Sequence, residues 1–116
     1  MARLKPHFTT AKRSGDFVFI SGQLPFDDDG NIVSGGIEAQ TRRCLENIRA
    51  AAATLGLGLE DVVRVGVWLT EAADFPVFDR VYASYFPGEP PARTTVGAVL
   101  MVPGALIEMD AQCQVS

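Results

Sequence analysis

The sequence has 116 residues, 47% of them hydrophobic, which suits one domain with one core. Its 14 acidic and 10 basic residues leave a formal charge of −4, which argues against a general nucleic-acid binder with a basic face but not against a local basic pocket. No apolar run approaches the ~20 residues of a membrane span and no signal-peptide core opens the sequence, so a cytoplasmic protein is expected.

Residues 1–15 read as a short polar arm, with Arg3, Lys5, Lys12 and Arg13, that can also supply an edge strand. Phe17-Val18-Phe19-Ile20 reads as a buried strand, broken at Ser21-Gly22-Gln23. Asp27 to Asn31 is a turn with a good hairpin signal at Asp29-Gly30, and Ile32-Val33 is expected to begin the return strand.

From Ile37 to Leu55 the period becomes helical. Ile37, Thr41, Cys44, Leu45, Ile48, Ala51, Ala52 and Leu55 share one stripe, and Gly56 is the expected stop. Val62 to Thr70 is a strand, with Val63, Val65, Val67 and Leu69 expected on one face and Arg64, Gly66, Trp68 and Thr70 on the other. Asp74 is placed as an N-cap with Pro76 in the first turn of a second helix, whose stripe is Phe75, Phe78, Val81, Tyr82 and Tyr85.

Two strands follow. In the first, Arg93, Thr95 and Gly97 point one way and Thr94, Val96 and Ala98 the other. In the last, Ile107, Met109, Ala111, Cys113 and Val115 alternate with Glu108, Asp110, Gln112 and Gln114. The order is an α+β sandwich with two helices on one sheet face. The far face, with Trp68 and Glu108, is left to water or a partner. Trp68 there reads as an interface residue, or as one packed under a loop or the arm. Cys44 and Cys113 both fall on apolar sides and read as reduced core residues.

The inventory removes several chemistries. His7 is the one histidine and lies near the start, so neither a histidine metal cluster nor a Ser–His pair has support. Lys5 and Lys12 are the lysines, which leaves no candidate for a buried Schiff base. Gly35-Gly36 precedes a helix but lacks dinucleotide or P-loop spacing. Cofactor-free, metal-free chemistry remains.

Within it, Arg93 stands out. An arginine in a strand needs an anionic partner, and its fork matches a carboxylate. Glu108 is a second acid in a strand. The pair reads either as a structural ion pair between neighbouring strands, as most charge pairs in small domains are, or as a substrate grip with a proton-handling acid. Thr95 could add a hydroxyl or serve only β-propensity. Ser21-Gly22 could offer backbone groups to a ligand or mark a bulge. Phe75 and Phe8 could wall a pocket or pack in the core.

Taken in order, Phe19 to Pro25, Gly35 to Thr41, Cys44 to Ile48, Tyr82 to Phe86, Pro91-Ala92-Arg93 and Ile107 to Ala111 resemble the Rid family, the reactive intermediate deaminases, also called endoribonuclease L-PSP or translation inhibitors. The resemblance implies a chorismate-mutase-like (bacillus type) α+β sandwich, a mixed sheet with two helices on one face, and a homotrimer with pockets between subunits. It implies Arg93 as the carboxylate-binding residue and Glu108 as the acid that orients water or moves protons. Gly22 beside Ser21, with Phe75, would line the site. Phe8 stands where many deaminating members have tyrosine, and Thr95 where many have cysteine.

Leu24-Pro25-Phe26-Asp27 with Ala39-Gln40-Thr41-Arg42 is also similar to the branch that handles aminoacrylate in pyrimidine breakdown. The implied activity is cofactor-independent hydrolysis of 2-imino acids, derived from enamines such as 2-aminoacrylate, to 2-keto acids and ammonia. The alternatives are an endoribonuclease, against which the charge and the single histidine speak, and a non-catalytic regulatory trimer that binds small carboxylates.

Overall fold

A computed structural model describes residues 6–115; Arg3 and Lys5 of the expected arm lie outside the described residues. Strands β1 (Ala11–Ser14), β2 (Phe17–Gln23), β3 (Val62–Leu69), β4 (Ala92–Gly97) and β5 (Ile107–Gln114) form one sheet in the order β1-β2-β5-β3-β4. Only β3 and β4 run parallel; the other neighbours are antiparallel. Helices α1 (Gly36–Ala53) and α2 (Phe75–Tyr85) provide the crossover layer. The fold is the expected α+β sandwich, with a mixed sheet and both helices on one face.

Alternation along the strands explains the layer. Val18 and Ile20 of β2, Val65, Val67 and Leu69 of β3, and Ile107, Met109, Ala111 and Cys113 of β5 are buried beneath Cys44, Leu45 and Ile48 of α1 and Phe78 and Tyr82 of α2. Each large aliphatic so buried stabilises the fold by roughly 1.5–3 kcal/mol. Gly56, at φ 77°, reverses the chain after α1 in the left-handed conformation that costs other residues most. Both cysteines are buried and free, as expected, and burial pushes the Cys113 thiol up to about 11.

Several details differ from the sequence reading, among them Leu55, which lies beyond the end of α1 and is exposed. The sheet partner that precedes β2 is β1, through a turn at Gly15 with φ 59°, whereas Ile32 makes a single bridge to Phe26. Both edges of β2 are already taken by β1 and β5, so no free edge remains for a return strand. The Asp27–Asn31 turn itself is present, with the Asp27 carboxylate accepting from the N–H groups of Asp29 and Asn31 at 3.0 Å each.

Phe17 and Phe19 are exposed, because β2 buries only its Val18 and Ile20 face. In β3 a register shift between Val62 and Arg64 turns Val62 inward and leaves Val63 exposed. Asp74 occupies the N-cap position of α2, but its side chain makes no capping bond.

Candidate active site

The parallel pairing of β4 with β3 sets Arg93 opposite Val65 and Thr95 opposite Val67, on the helix side of the sheet. There Arg93 meets the aromatic stripe of α2. Its guanidinium carbon lies 4.7 Å from the ring centroid of Tyr82, 5.1 Å from Phe78 and 5.5 Å from Phe75. Each such contact is worth about 0.5–2 kcal/mol, more where water is excluded. Arg93 Nη1 donates to Asp79 Oδ1 at 2.8 Å. Its Nε and Nη2 have no protein partner among the described residues.

Thr95 Oγ1 is buried and also lacks a partner among the described residues. Thr95 and Phe75 line a cavity of about 220 Å³ with Leu69, Ala72, Val96 and Gly97. Burial pushes the Tyr82 phenol up to about 12, with Arg93 pulling down and Asp79 pushing up more weakly.

Glu108 occupies the other side of the sheet, cross-strand from Trp68. The β2 ladder is interrupted between Ile20 and Gln23, and this irregularity brings the Gly22 backbone against the Glu108 carboxylate. A Cβ at position 22 would overlap that carboxylate, so the close approach requires glycine. Desolvation raises the Glu108 pKa, and the charge of Asp110 raises it further. Asp110 is fixed by accepting the Gly66 N–H at 2.9 Å.

Phe8, Gly22 and Glu108 line one cavity of about 630 Å³ with Leu24, Asn47 and Met101. Arg43 also borders it, but its guanidinium is held by the Phe26 carbonyl at 2.8 Å and Asp28 at 2.9 Å.

The sequence-derived residues therefore fall into two groups. Arg93, Phe75 and Thr95 lie on the helix side; Phe8, Gly22 and Glu108 lie on the open side. Arg93 and Glu108 form no ion pair between neighbouring strands: β3 separates β4 from β5, and the two side chains leave opposite faces. Ser21 belongs to neither group. Its Oγ donates to the Thr9 carbonyl at 2.6 Å and its N–H to Thr10 at 2.9 Å, which ties the arm to β2. Asp79 was not foreseen; the trace in the sequence is one acid beside the aromatic stripe of α2, between Phe78 and Tyr82.

The sequence profile described as endoribonuclease L-PSP matches residues 2–115. The chain belongs to this family, the Rid family. A RutC family protein of Pyrococcus abyssi is 41% identical over 105 residues, covering 90% of this chain and 83% of its own. The 3-aminoacrylate deaminase RutC of Acinetobacter baylyi is 40% identical over 103 residues, covering 88% and 82%. Among solved structures, RidA of Psychrobacter sp. PAMC 21119 superposes with a TM-score of 0.90 at 31% identity, covering 97% of this chain and 92% of that one.

Proposed function

We propose that the protein hydrolyses reactive 2-imino acids, formed from enamines such as 2-aminoacrylate, to 2-keto acids and ammonia, at sites completed between copies in a homotrimer. One observation carries this reading. Arg93 rests on an aromatic platform with its Nε and Nη2 donors unpaired among the described residues, and Thr95, two residues along β4, has an unpartnered hydroxyl and lines a small cavity with Phe75. That edge offers two donors to a ligand carboxylate, a contact worth about 1.5–3 kcal/mol net.

Glu108 complements it. Its raised pKa brings a carboxyl group nearer neutrality, where it exchanges protons both ways. In the proposed reaction Arg93 holds the substrate carboxylate and Phe75 walls the side chain. Glu108 of another copy takes a proton from a water that adds to the imine carbon. The protonated imine thereby becomes a carbinolamine; Glu108 returns its proton to nitrogen, ammonia leaves, and Glu108 takes the hydroxyl proton and passes it to the ammonia, so that the water oxygen remains as the ketone. Because free imines already hydrolyse, positioning one water is sufficient. No cofactor enters the reaction.

The test couples the protein to an amino-acid oxidase or dehydratase that releases the imine. Imine loss faster than in buffer, reduced about 10- to 100-fold in Arg93→Ala with oligomeric state intact, is expected. Equal rates with and without protein would end the proposal.

A further inference from the structure

We infer that Asp79 is a specificity-determining residue, a built-in counter-anion that aims Arg93 and restricts the site to ligands carrying a single negative charge. This rests on the reading of Arg93 as the carboxylate grip. The argument begins with the guanidinium, which presents its donors along distinct edges. Asp79 takes Nη1 at 2.8 Å, and Tyr82, Phe78 and Phe75 fix the plane. What is left is the Nε–Nη2 edge, so Asp79 selects which pair of donors meets the ligand.

The electrostatic consequence is separate. The Arg93 side chain is 21% exposed and that of Asp79 48%, so the pair is only partly screened by water. Arg80, one residue along α2, is exposed and held by Glu38 at 3.2 Å, and Glu108 lies on the other sheet face. Within the protomer, Arg93 and Asp79 thus approach neutrality together. A monocarboxylate adds one anion to this pair. A second carboxylate on the ligand would meet the Asp79 charge, with no further cation of the same protomer paired there among the described residues.

Charge and aim can be pulled apart. Asp79→Asn keeps an acceptor oxygen for Nη1 and removes the charge; Asp79→Ala removes both. The ligands are 2-oxobutanoate, 2-oxoglutarate and the terminal amide of 2-oxoglutarate, which has the same shape with one charge fewer. Calorimetric titration of the full chain in its native oligomer is expected to show the amide bound more tightly than the diacid. Asp79→Asn should narrow that gap about three- to fivefold by tightening the diacid, the scale of a partly screened charge pair. Asp79→Ala should loosen 2-oxobutanoate, with partial rescue in Asp79→Asn.

An unchanged gap in Asp79→Asn, with 2-oxobutanoate still bound by wild-type protein, overturns the role of Asp79 and leaves the grip standing. Failure of wild-type protein to bind any of the three ligands overturns both. Matching melting temperatures and oligomer sizes among the variants establish that the comparison is between folded proteins.

Discussion

Arg93 and Glu108 stand on opposite faces of the same sheet, with β3 between their strands. A single copy therefore cannot direct both at one small molecule. The two groups act together only if the Arg93 side of one copy meets the Glu108 side of another, which is a head-to-tail contact. The open sheet face offers material for such a contact: Phe17, Phe19 and Val96 are exposed there, with Trp68 partly so.

This yields a complementation experiment. Arg93→Ala and Glu108→Gln are each expected to lose most of the activity alone, about 10- to 100-fold for Arg93→Ala. When the two are unfolded together and refolded as a mixture, a site regains both groups when its arginine donor and its glutamate donor are each intact. With random assortment about a quarter of sites qualify. Recovery near that fraction of wild-type imine hydrolysis supports sharing. A mixture as inactive as its parents means that each copy works, or fails, alone.

Gly22→Ala separates stability from chemistry. The methyl group would overlap the Glu108 carboxylate, the far end of a side chain that can swing away. Thermal unfolding is therefore expected to change by less than about 1 kcal/mol. Moving a reacting group by about 1 Å, however, can cost on the order of 100-fold in rate. A Gly22→Ala protein with a normal melting temperature and full imine hydrolysis would dissociate Gly22 from the catalytic arrangement.

Strong periodicity made the layers legible in the sequence. The stripes Thr41, Cys44, Leu45, Ile48 and Phe78, Val81, Tyr82 became the buried faces of α1 and α2, and the alternation in β5 assigned Glu108 to the open side. Pairing was less legible. Nothing local to Ile32 reveals that both edges of β2 are filled by distant segments, and a one-residue register shift was enough to exchange Val62 for Val63 at the core.

The expectation that Arg93 needs an anion was sound, but the anion is Asp79. It comes from a helix 14 residues earlier, which crosses over the sheet before β4 begins. That proximity depends on how α2 docks, and strand alternation carries no record of it. The sequence likewise offered backbone groups at Ser21-Gly22 to a ligand; in the structure the Ser21 N–H donates to Thr10, its carbonyl accepts from Gln23, and its hydroxyl donates to Thr9.

Thr95→Val is expected to move stability and binding in opposite directions. The Thr95 hydroxyl is buried without a partner, a state that costs about 1–3 kcal/mol relative to a satisfied group. Valine has the same shape and nothing to satisfy, so the ligand-free protein should unfold at an equal or higher temperature. If the hydroxyl bonds the ligand, affinity for 2-oxobutanoate should fall by about 0.5–1.5 kcal/mol. Melting curves and titrations on one preparation decide it; unchanged affinity would remove Thr95 from the site.

Glu108 supplies the pH dependence. Burial, then the charge of Asp110, raises its pKa above the ordinary 4.5, so the folded protein holds this proton more tightly than the unfolded chain does. Stability contributed by the protonated carboxyl is complete below about 4.5 and is lost as pH rises through the folded value. Relative to Glu108→Gln, which cannot ionise, wild-type protein should therefore lose melting temperature across that window and stay at a constant deficit above it. In the proposed reaction the base is ionised Glu108, so the acid limb of kcat/KM should lie above 4.5. Asp110→Asn keeps an acceptor for the Gly66 N–H but removes the second cause of the shift. Its acid limb should move toward lower pH, the direction opposite to that of any change that buries Glu108 further. A limb that Asp110→Asn leaves in place would mean that another group controls the rate.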